Sequence, residues 1–440
     1  MDEIAIGLIG FGTIGSGLVH ILNENRTTIE ARTGFGIKLK RIADLDITSD
    51  RGVLFDKSIL TRNAHDIIRD PEISIVVELI GGYEPARTFI IEALQNGKSV
   101  VTANKALLAE HGQEIFHAAT KNKADIAFEA AVAGGIPILR SFREGLIANK
   151  FDKILAILNG TCNFILSEMT ENPGAVFDEA LLKAQRLGYA EADPALDIEG
   201  IDSAHKLTLV LGLTHGIHVP IKSIHVEGIT GIEPFDLVMA REFSYKIKLL
   251  ALIIRHGNCV EARLHPTMLP ESHPLSQVNG VFNGIFLRGD MVGDQLFYGR
   301  GAGREPTASA VIGDIIELIR NRRIGKSGRV PPLGYPVPIM SRDSILDMNK
   351  VITNYYIRIQ AADRPGVLSR IAGIMADHNI SIHSVVQKRR DHSGAGAVPV
   401  VFITHSAKEA DLQQARREIG DLDVVNSKPT IIRIEDEDLD

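Results

Sequence analysis

The residue types that could do chemistry concentrate in one stretch. From Ala184 to Lys206 the chain reads AQRLGYAEADPALDIEGIDSAHK, with Glu191, Asp193, Asp197, Glu199 and Asp202 leading to Lys206. Asp202 and Lys206 are four residues apart, so a helix through them places both on one face. On a solvated helix such a pair contributes only about 0.3–0.5 kcal/mol. Here the helix continues Leu207-Thr208-Leu209-Val210-Leu211, apolar on nearly every side, and Val210 and Leu213 extend the face of the ion pair. An amine on a buried helix must be paired or held neutral. Either state suits proton exchange with a hydroxyl while hydride leaves the same carbon. The residues alone leave catalysis and a structural pair equally open.

A second concentration opens the chain. Gly10-Phe11-Gly12-Thr13-Ile14-Gly15 fits G-x-G-x-x-G directly after the apolar run Ile4–Ile9 and before the apolar-periodic stretch Ile14–Leu22. The first glycine permits the tight turn, the second lets a pyrophosphate reach the backbone, and the third lets helix and strand pack closely. The helix N-terminus offers unpaired N–H groups and a positive dipole end. That order predicts dinucleotide binding. The following strand ends in Asp44-Leu45-Asp46, where an acid can accept from ribose hydroxyls and lean the site towards NAD. The spacing from Gly15 is longer than usual, Arg41, Arg51 and Lys57 could receive a 2′-phosphate, and both acids could be plain turn residues. Lys105, in Thr102-Ala103-Asn104-Lys105-Ala106, follows a strand whose C-terminal end should face the cofactor. A surface helix lysine is the alternative.

These residues need elements to position them. Strands are expected at Ile37–Ala43, Ile73–Ile80, Ser99–Thr102 and Ile126–Phe128, with helices from Ala86 to Asn96 and from Lys105. Apolar strands alternating with helices imply a doubly wound, Rossmann-like parallel sheet over residues 1–145. Residues 146–320 read as a mixed α/β domain, with a helix at Asp202–Leu213 and strands near Ile224–Ile229 and Val260–Pro266. A helix over 307–323 is expected to pack back on the first domain. Residues 324–350 hold four of the 18 prolines and read as an extended linker. Residues 351–434 then run βαββαβ, the ferredoxin-like order. The tail 435–440, with five acids in six residues, reads as solvated.

Composition narrows the function classes. A chain of 440 residues suggests about three domains. With 45% hydrophobic and 23% charged residues it can bury sizeable cores. A net charge of −7 without a dense Lys/Arg run argues against nucleic acid as the main partner. Two cysteines, Cys162 and Cys259, make no disulfide framework and lack metal-ligand spacing, which fits a reducing compartment. Met1, Asp2 and Glu3 run straight into a strand, unlike a signal peptide, and no apolar run is long enough to span a bilayer. A cytoplasmic enzyme without a membrane or nucleic-acid partner is expected.

At this point the residues resemble the homoserine dehydrogenases, in the monofunctional form with a C-terminal ACT regulatory domain. The most specific stretch is A-x-x-x-G-Y-A-x-x-D-P-x-x-D-I-x-G-x-D-x-x-x-K, realised without a gap from Ala184 to Lys206. GFGTIGSG at 10–17, TANKALLA at 102–109, FEAAVAGGIPIL at 128–139, NGTCNFIL at 159–166 and GRGAGREPTASAV at 299–311 agree with it. The resemblance implies NAD(P)-dependent interconversion of L-homoserine and L-aspartate 4-semialdehyde in threonine and methionine biosynthesis. It implies Lys206 as proton donor and acceptor, and Glu191, Asp202 and Asp197 at the amino-acid substrate. Lys105 would stand between cofactor and substrate, with Gly188 and Gly303 approaching the cofactor through their backbones. The segment matching Glu129, Val132, Gly134 and Ile136 would bind a monovalent cation, usually sodium. In the ACT unit, Asp363 and Gly366 of Ala362-Asp363-Arg364-Pro365-Gly366 and Asn379 would form a regulatory amino-acid site. The pathway implies threonine there, and paired modules imply a homodimer or homotetramer. A non-catalytic nucleotide and amino-acid sensor, or a dehydrogenase of another amino acid, are the competing readings.

Overall fold

The structure, a computed structural model, describes residues 3–172, 174–336, 345–387 and 396–436. Its first layer is a six-stranded parallel sheet in the order β3-β2-β1-β4-β5-β6. The strands are β1 (Glu3–Ile9), β2 (Gly36–Ala43), β3 (Leu60–Thr61), β4 (Ile75–Glu78), β5 (Ser99–Thr102) and β6 (Ile126–Ala127). The order reverses beside β1, the switch point where open α/β sheets bind ligands beyond their C-terminal strand ends. Strands buried on both faces explain the unbroken apolar runs of β4 and β5. The helix Arg304–Arg323 lies on this sheet's flank: Val311, Ile315 and Ile319 share one core with Ile6, Leu8 and Leu18.

The second layer is a larger mixed sheet. Five strands belong to the middle of the chain: β7 (Phe151–Ile157), β8 (His225–Val226) off the main path, β9 (Tyr245–His256), β10 (Cys259–Pro270) and β11 (Phe282–Gly289), followed by the edge strand β12 (Gly293–Arg300). The C-terminal unit adds β13 (Ile352–Ala362), β14 (Ile382–Gln387), β15 (Ala397–Thr404), the short β16 (Ala407–Lys408) and β17 (Thr430–Ile434). With helices Val367–Asp377 and Glu409–Gly420 it makes the expected βαββαβ unit. The path runs β12-β11-β7-β9-β10-β17-β13-β15-β14, so one sheet crosses both units. The joint is parallel: Thr267 faces Arg433 and Met268 faces Ile434.

Two expectations about the periphery are corrected. The acidic tail is docked where it is described: Glu435 pairs with Lys153 at 2.7 Å and lies 3.6 Å from Arg263, and the Tyr245 hydroxyl donates to Asp436 at 2.6 Å. Lys153 of β7 and Arg263 of β10 outcompete water for Glu435, and the Tyr245 phenol does so for Asp436; residues 437–440 lie outside the described residues. The Pro-rich linker, expected in extended conformation, instead folds through turns where it is described at 324–336. Gly328 N–H donates to Asp125, the Tyr335 hydroxyl donates to the Thr214 carbonyl at 3.1 Å, and Leu333 is buried. Of its remainder, 337–344 are outside the described residues, as is 388–395 of the polar loop expected between β14 and β15. Met1 and Asp2, part of the argument against a signal peptide, are outside them too. Among the described residues no helix is long and apolar enough to cross a membrane.

Candidate active site

The helix Ile201–His215 carries Asp202 in its first turn and Lys206 one turn on. Lys206 Nζ donates to Asp202 Oδ2 at 2.7 Å and to the Leu158 carbonyl at 2.7 Å, and its side chain is 11% exposed. The carbonyl belongs to the residue after β7, so sheet and helix aim the amine together. The buried lysine is thus paired, as its apolar helix requires. Lys105 approaches from the first domain, its Nζ 3.1 Å from Asp202 Oδ1 and its side chain 39% exposed. One carboxylate therefore joins two ammonium groups from two domains. Burial opposes ionisation of Asp202, but Lys206 and Lys105 outweigh it and hold the carboxyl well below the usual range.

Asn159, which the sequence reading did not single out, knits this cluster. Its Oδ1 caps the helix Gly160–Glu171 by accepting from Cys162 N–H at 2.8 Å. That frees its Nδ2 to donate to Asp197 at 2.7 Å and Asp202 at 3.0 Å. Burial raises the pKa of Asp197, and the nearby Asp202 charge adds to the rise, while the Asn159 bond opposes it. The Asn-Gly-Thr start of a helix was a legible capping signal; the reach to two acids about forty residues away was not. Lys105 is set by a second group that went unnoticed. Buried Glu78, at the end of β4, accepts from the Thr102 hydroxyl at 2.6 Å and from Ile80 and Gly81 N–H. Thr102 Oγ1 accepts from Asn104 N–H, and Asn104 caps the helix Lys105–Lys121.

The structure does not gather every expected residue. Glu191 is exposed and stays outside the Asp202 network, its carbonyl accepting from Gln185 Nε2. Gly188, at φ +74°, is an exposed turn residue with nothing within 4 Å of an added Cβ. Gly303, at φ +122°, is the N-cap of the helix Arg304–Arg323.

The glycine turn has the build of a diphosphate cradle. A Cβ on Gly10 would meet the Leu79 carbonyl at 2.7 Å, and one on Gly15 the Gly10 carbonyl oxygen at 2.3 Å. A Cβ on Gly12 would meet nothing within 4 Å, so that backbone is open to a ligand. The helix Thr13–Glu24 has no side-chain cap, leaving its first N–H groups to an anion. The side chains of Phe11 and Ile14 flank the turn, Phe11 buried and in edge contact with Phe55. Asp44 serves the turn itself: Oδ2 accepts from Phe11 N–H at 2.5 Å, Oδ1 from Asp46 N–H at 2.8 Å, and Arg51 lies 3.6 Å away. A ribose hydroxyl would have to share these oxygens.

The candidate cation segment is a tight backbone turn. Ala133 and Gly134 are both left-handed (φ +54° and +48°), and a Cβ on Gly134 would meet the Gly301 carbonyl oxygen at 2.4 Å. The Glu129 carboxylate is spent on Leu139 and Arg140 N–H, each at 2.8 Å, and the Ile136 carbonyl accepts from Ile138 N–H. Burial raises the Glu129 pKa against those two amide bonds. The donors this segment has to offer an ion are therefore backbone carbonyl oxygens, of which that of Glu129 also accepts from Val132 N–H at 3.4 Å. Among the described residues no group of three or more His, Cys, Asp or Glu could hold a metal.

In the C-terminal unit, Asp363 and Gly366 sit at the start of the helix Val367–Asp377, Gly366 as its N-cap at φ +90°. Gln387 Nε2 donates to Asp363 at 3.2 Å. Asn379 lies past the far end of that helix, left-handed at φ +56° and exposed. A single chain does not bring it beside Asp363.

With this geometry in hand, comparison with known proteins is specific. Family profiles match homoserine dehydrogenase over residues 137–316, the homoserine dehydrogenase NAD-binding domain over 10–129, and the ACT domain over 355–424. The homoserine dehydrogenase of Neisseria gonorrhoeae is 42% identical over 436 residues, covering 99% of each chain. A crystal structure of a homoserine dehydrogenase from Thiobacillus denitrificans superposes with a TM-score of 0.91 at 44% identity, covering 99% of each chain. A hyperthermophilic archaeal homoserine dehydrogenase in complex with NADPH matches 72% of this chain and 98% of its own, with a TM-score of 0.61 at 27% identity.

Proposed function

This chain belongs to the homoserine dehydrogenase family, an oxidoreductase with a nicotinamide-binding domain and an ACT domain, and from that premise we propose how its residues interconvert L-aspartate 4-semialdehyde and L-homoserine. The nicotinamide ring, when bound, supplies or accepts hydride at the substrate's terminal carbon. In reduction, negative charge develops on the aldehyde oxygen, and Lys206 Nζ donates its proton there. In oxidation the same amine takes the hydroxyl proton. Asp202 aims that amine, the Leu158 carbonyl fixes its second direction, and Lys105 adds positive potential from the cofactor side. Asp197 and Asp202 would meet the substrate ammonium, with Glu191 joining from its exposed turn on substrate binding.

The Lys206–Asp202–Lys105 bridge between the two domains carries this reading. Its test is steady-state reduction of aspartate 4-semialdehyde with NADH and NADPH in parallel. Turnover with either, lowered by about 10²-fold or more when Lys206 is changed to Ala in a folded chain, supports it. Equal turnover in that variant refutes the role of Lys206.

Three finer features belong to the same proposal. A sodium ion on the 129–136 carbonyls would raise thermal stability in sodium over choline buffers; identical melting in both would remove it. Threonine acting at Asp363 and Gly366 would inhibit, and Asp363→Asn would blunt the effect. That test uses the full chain, because β17 is part of the shared sheet. A homo-oligomer fits the edge strand β12, which exposes Leu296 and Tyr298; sedimentation of the purified chain as a monomer would refute it.

A further inference from the structure

We infer that Glu227 is a positioning residue for the substrate acids Asp197 and Asp202, and that Arg433 of the C-terminal unit holds it in place; this rests on the reading of those acids above. Asn159 grips the two carboxylates. The backbone that carries them is braced by residues 226–229, the end of β8 and the turn after it. Ile229 N–H donates to the Ile198 carbonyl, one residue past Asp197, at 2.8 Å. A Cβ on Gly228 would meet that same carbonyl oxygen at 2.2 Å and Glu199 Cα at 2.6 Å. Gly200 caps the helix Ile201–His215 two residues before Asp202. A Cβ there would meet Leu264 Cδ2 at 2.7 Å, Val226 Cγ1 at 3.2 Å and the Glu227 carbonyl oxygen at 3.5 Å. Backbone lies against backbone at this joint, and in a close-packed interior a shift on one side displaces the other.

Glu227 ties this brace to the C-terminal unit. Its N–H donates to the Leu264 carbonyl at 2.8 Å, and its carboxylate accepts from Arg433 Nη1 at 2.9 Å and Nη2 at 3.1 Å. The His225 ring lies 2.8 Å from the same carboxylate. Arg433 is buried in β17 and is itself clasped by Glu409, with Nε at 2.9 Å and Nη2 at 2.6 Å. A paired guanidinium–carboxylate contact fixes direction as well as distance. One residue thus has its carboxylate on the C-terminal unit and its backbone on the segment that carries Asp197 and Asp202. Misplacement of such groups by about 1 Å is costly. Lys206 keeps the Leu158 carbonyl as a second anchor, so a loosened brace should reach substrate binding before proton transfer.

The test is steady-state oxidation of L-homoserine, with cofactor dissociation constants by calorimetry, for the wild type, Glu227→Gln, Glu227→Ala and Gly228→Ala. Glutamine breaks the paired contact but strands no charge, because Glu409 still pairs with Arg433. Alanine at 228 forces the Ile198 contact apart. Each variant should raise KM for homoserine by about tenfold or more, Glu227→Gln the least, with a smaller loss in kcat and cofactor affinity unchanged. An ion pair that only stabilised the fold would lower the melting temperature and leave KM per folded molecule where it was; that result overturns the inference. A KM rise in Gly228→Ala alone would take the role from Glu227, and a parallel loss of cofactor affinity would mean a disturbance of the whole domain; either overturns it. Asp197→Asn in the same assay reports on the reading beneath: an unchanged KM there would fail the substrate acids rather than the brace.

Discussion

Asp202 and Asp236 are both buried acids that hold cations across a domain boundary, yet they are built for different ends. Asp202 shares its oxygens between Lys206 and Lys105, and Lys105 stays 39% exposed towards the dinucleotide domain. Asp236 is 0% exposed. Arg358 clasps it with Nε at 2.7 Å and Nη2 at 3.2 Å, and the Tyr356 hydroxyl adds a bond at 2.8 Å. The first cluster uses lysines, compact ammonium groups that can hand over a proton; the second uses an arginine that cannot. The first keeps one side open, and the second is sealed between the helix Pro234–Glu242 and β13. Burial with charge marks neither function nor structure; a transferable proton with an open approach does.

Substitutions separate the two clusters. Lys206→Ala should lower kcat by about 10²–10⁴-fold, the usual worth of a positioned acid–base group, while calorimetry finds cofactor affinity little changed. Arg358→Met should instead cost about 3–5 kcal/mol in denaturant unfolding by stranding the Asp236 charge, with turnover per folded molecule preserved. If Arg358→Met lowered kcat instead, the contrast would collapse. A third buried acid, Asp314, sharpens it. Burial and the neighbouring Glu129 push its pKa up to about 8, from 3.8. A folded-state value above the unfolded one means the folded chain binds more protons between those limits, so stability should fall as pH rises from about 4 to about 8. Asp314→Asn should flatten that slope in melting curves taken across the range. The smallest effect tests the sealed cluster as a unit. Asp236→Leu, Arg358→Met and Tyr356→Phe together should cost about 1 kcal/mol, less than Arg358→Met alone: the Asp236 charge goes with its partners, and what remains is the lost cap on Glu233 N–H and the exposed Glu233 carboxylate that paired with Arg358. The matching apolar swap of Asp202 and Lys206 should abolish turnover.

Much of this was readable before any coordinates, and the failures have physical causes. Strand–glycine–helix punctuation placed β1, and the 202–206 spacing placed the ion pair, because both are local patterns. The strands β7, β9, β11 and β12 were not anticipated. Tyr245–His256 is buried along nearly its whole length, so it lacks the alternation that separates strand from helix. Asn159 and Glu78 escaped notice because a cap and a strand-end acid look ordinary until their partners fold beside them. Glu435 was read as solvated because its cations, Lys153 and Arg263, are remote in sequence.

The parallel seam between β10 and β17 has a consequence for the nascent protein. On the ribosome β10 is complete long before β17 has been made, so its flank stays raw while the remaining C-terminal unit is translated. Arg433, which ion-pairs with both Glu227 and Glu409, arrives with that same late strand. A stalled or prematurely stopped polypeptide would therefore present an unzipped border and unmatched acids, a surface suited to capture by chaperones or proteases.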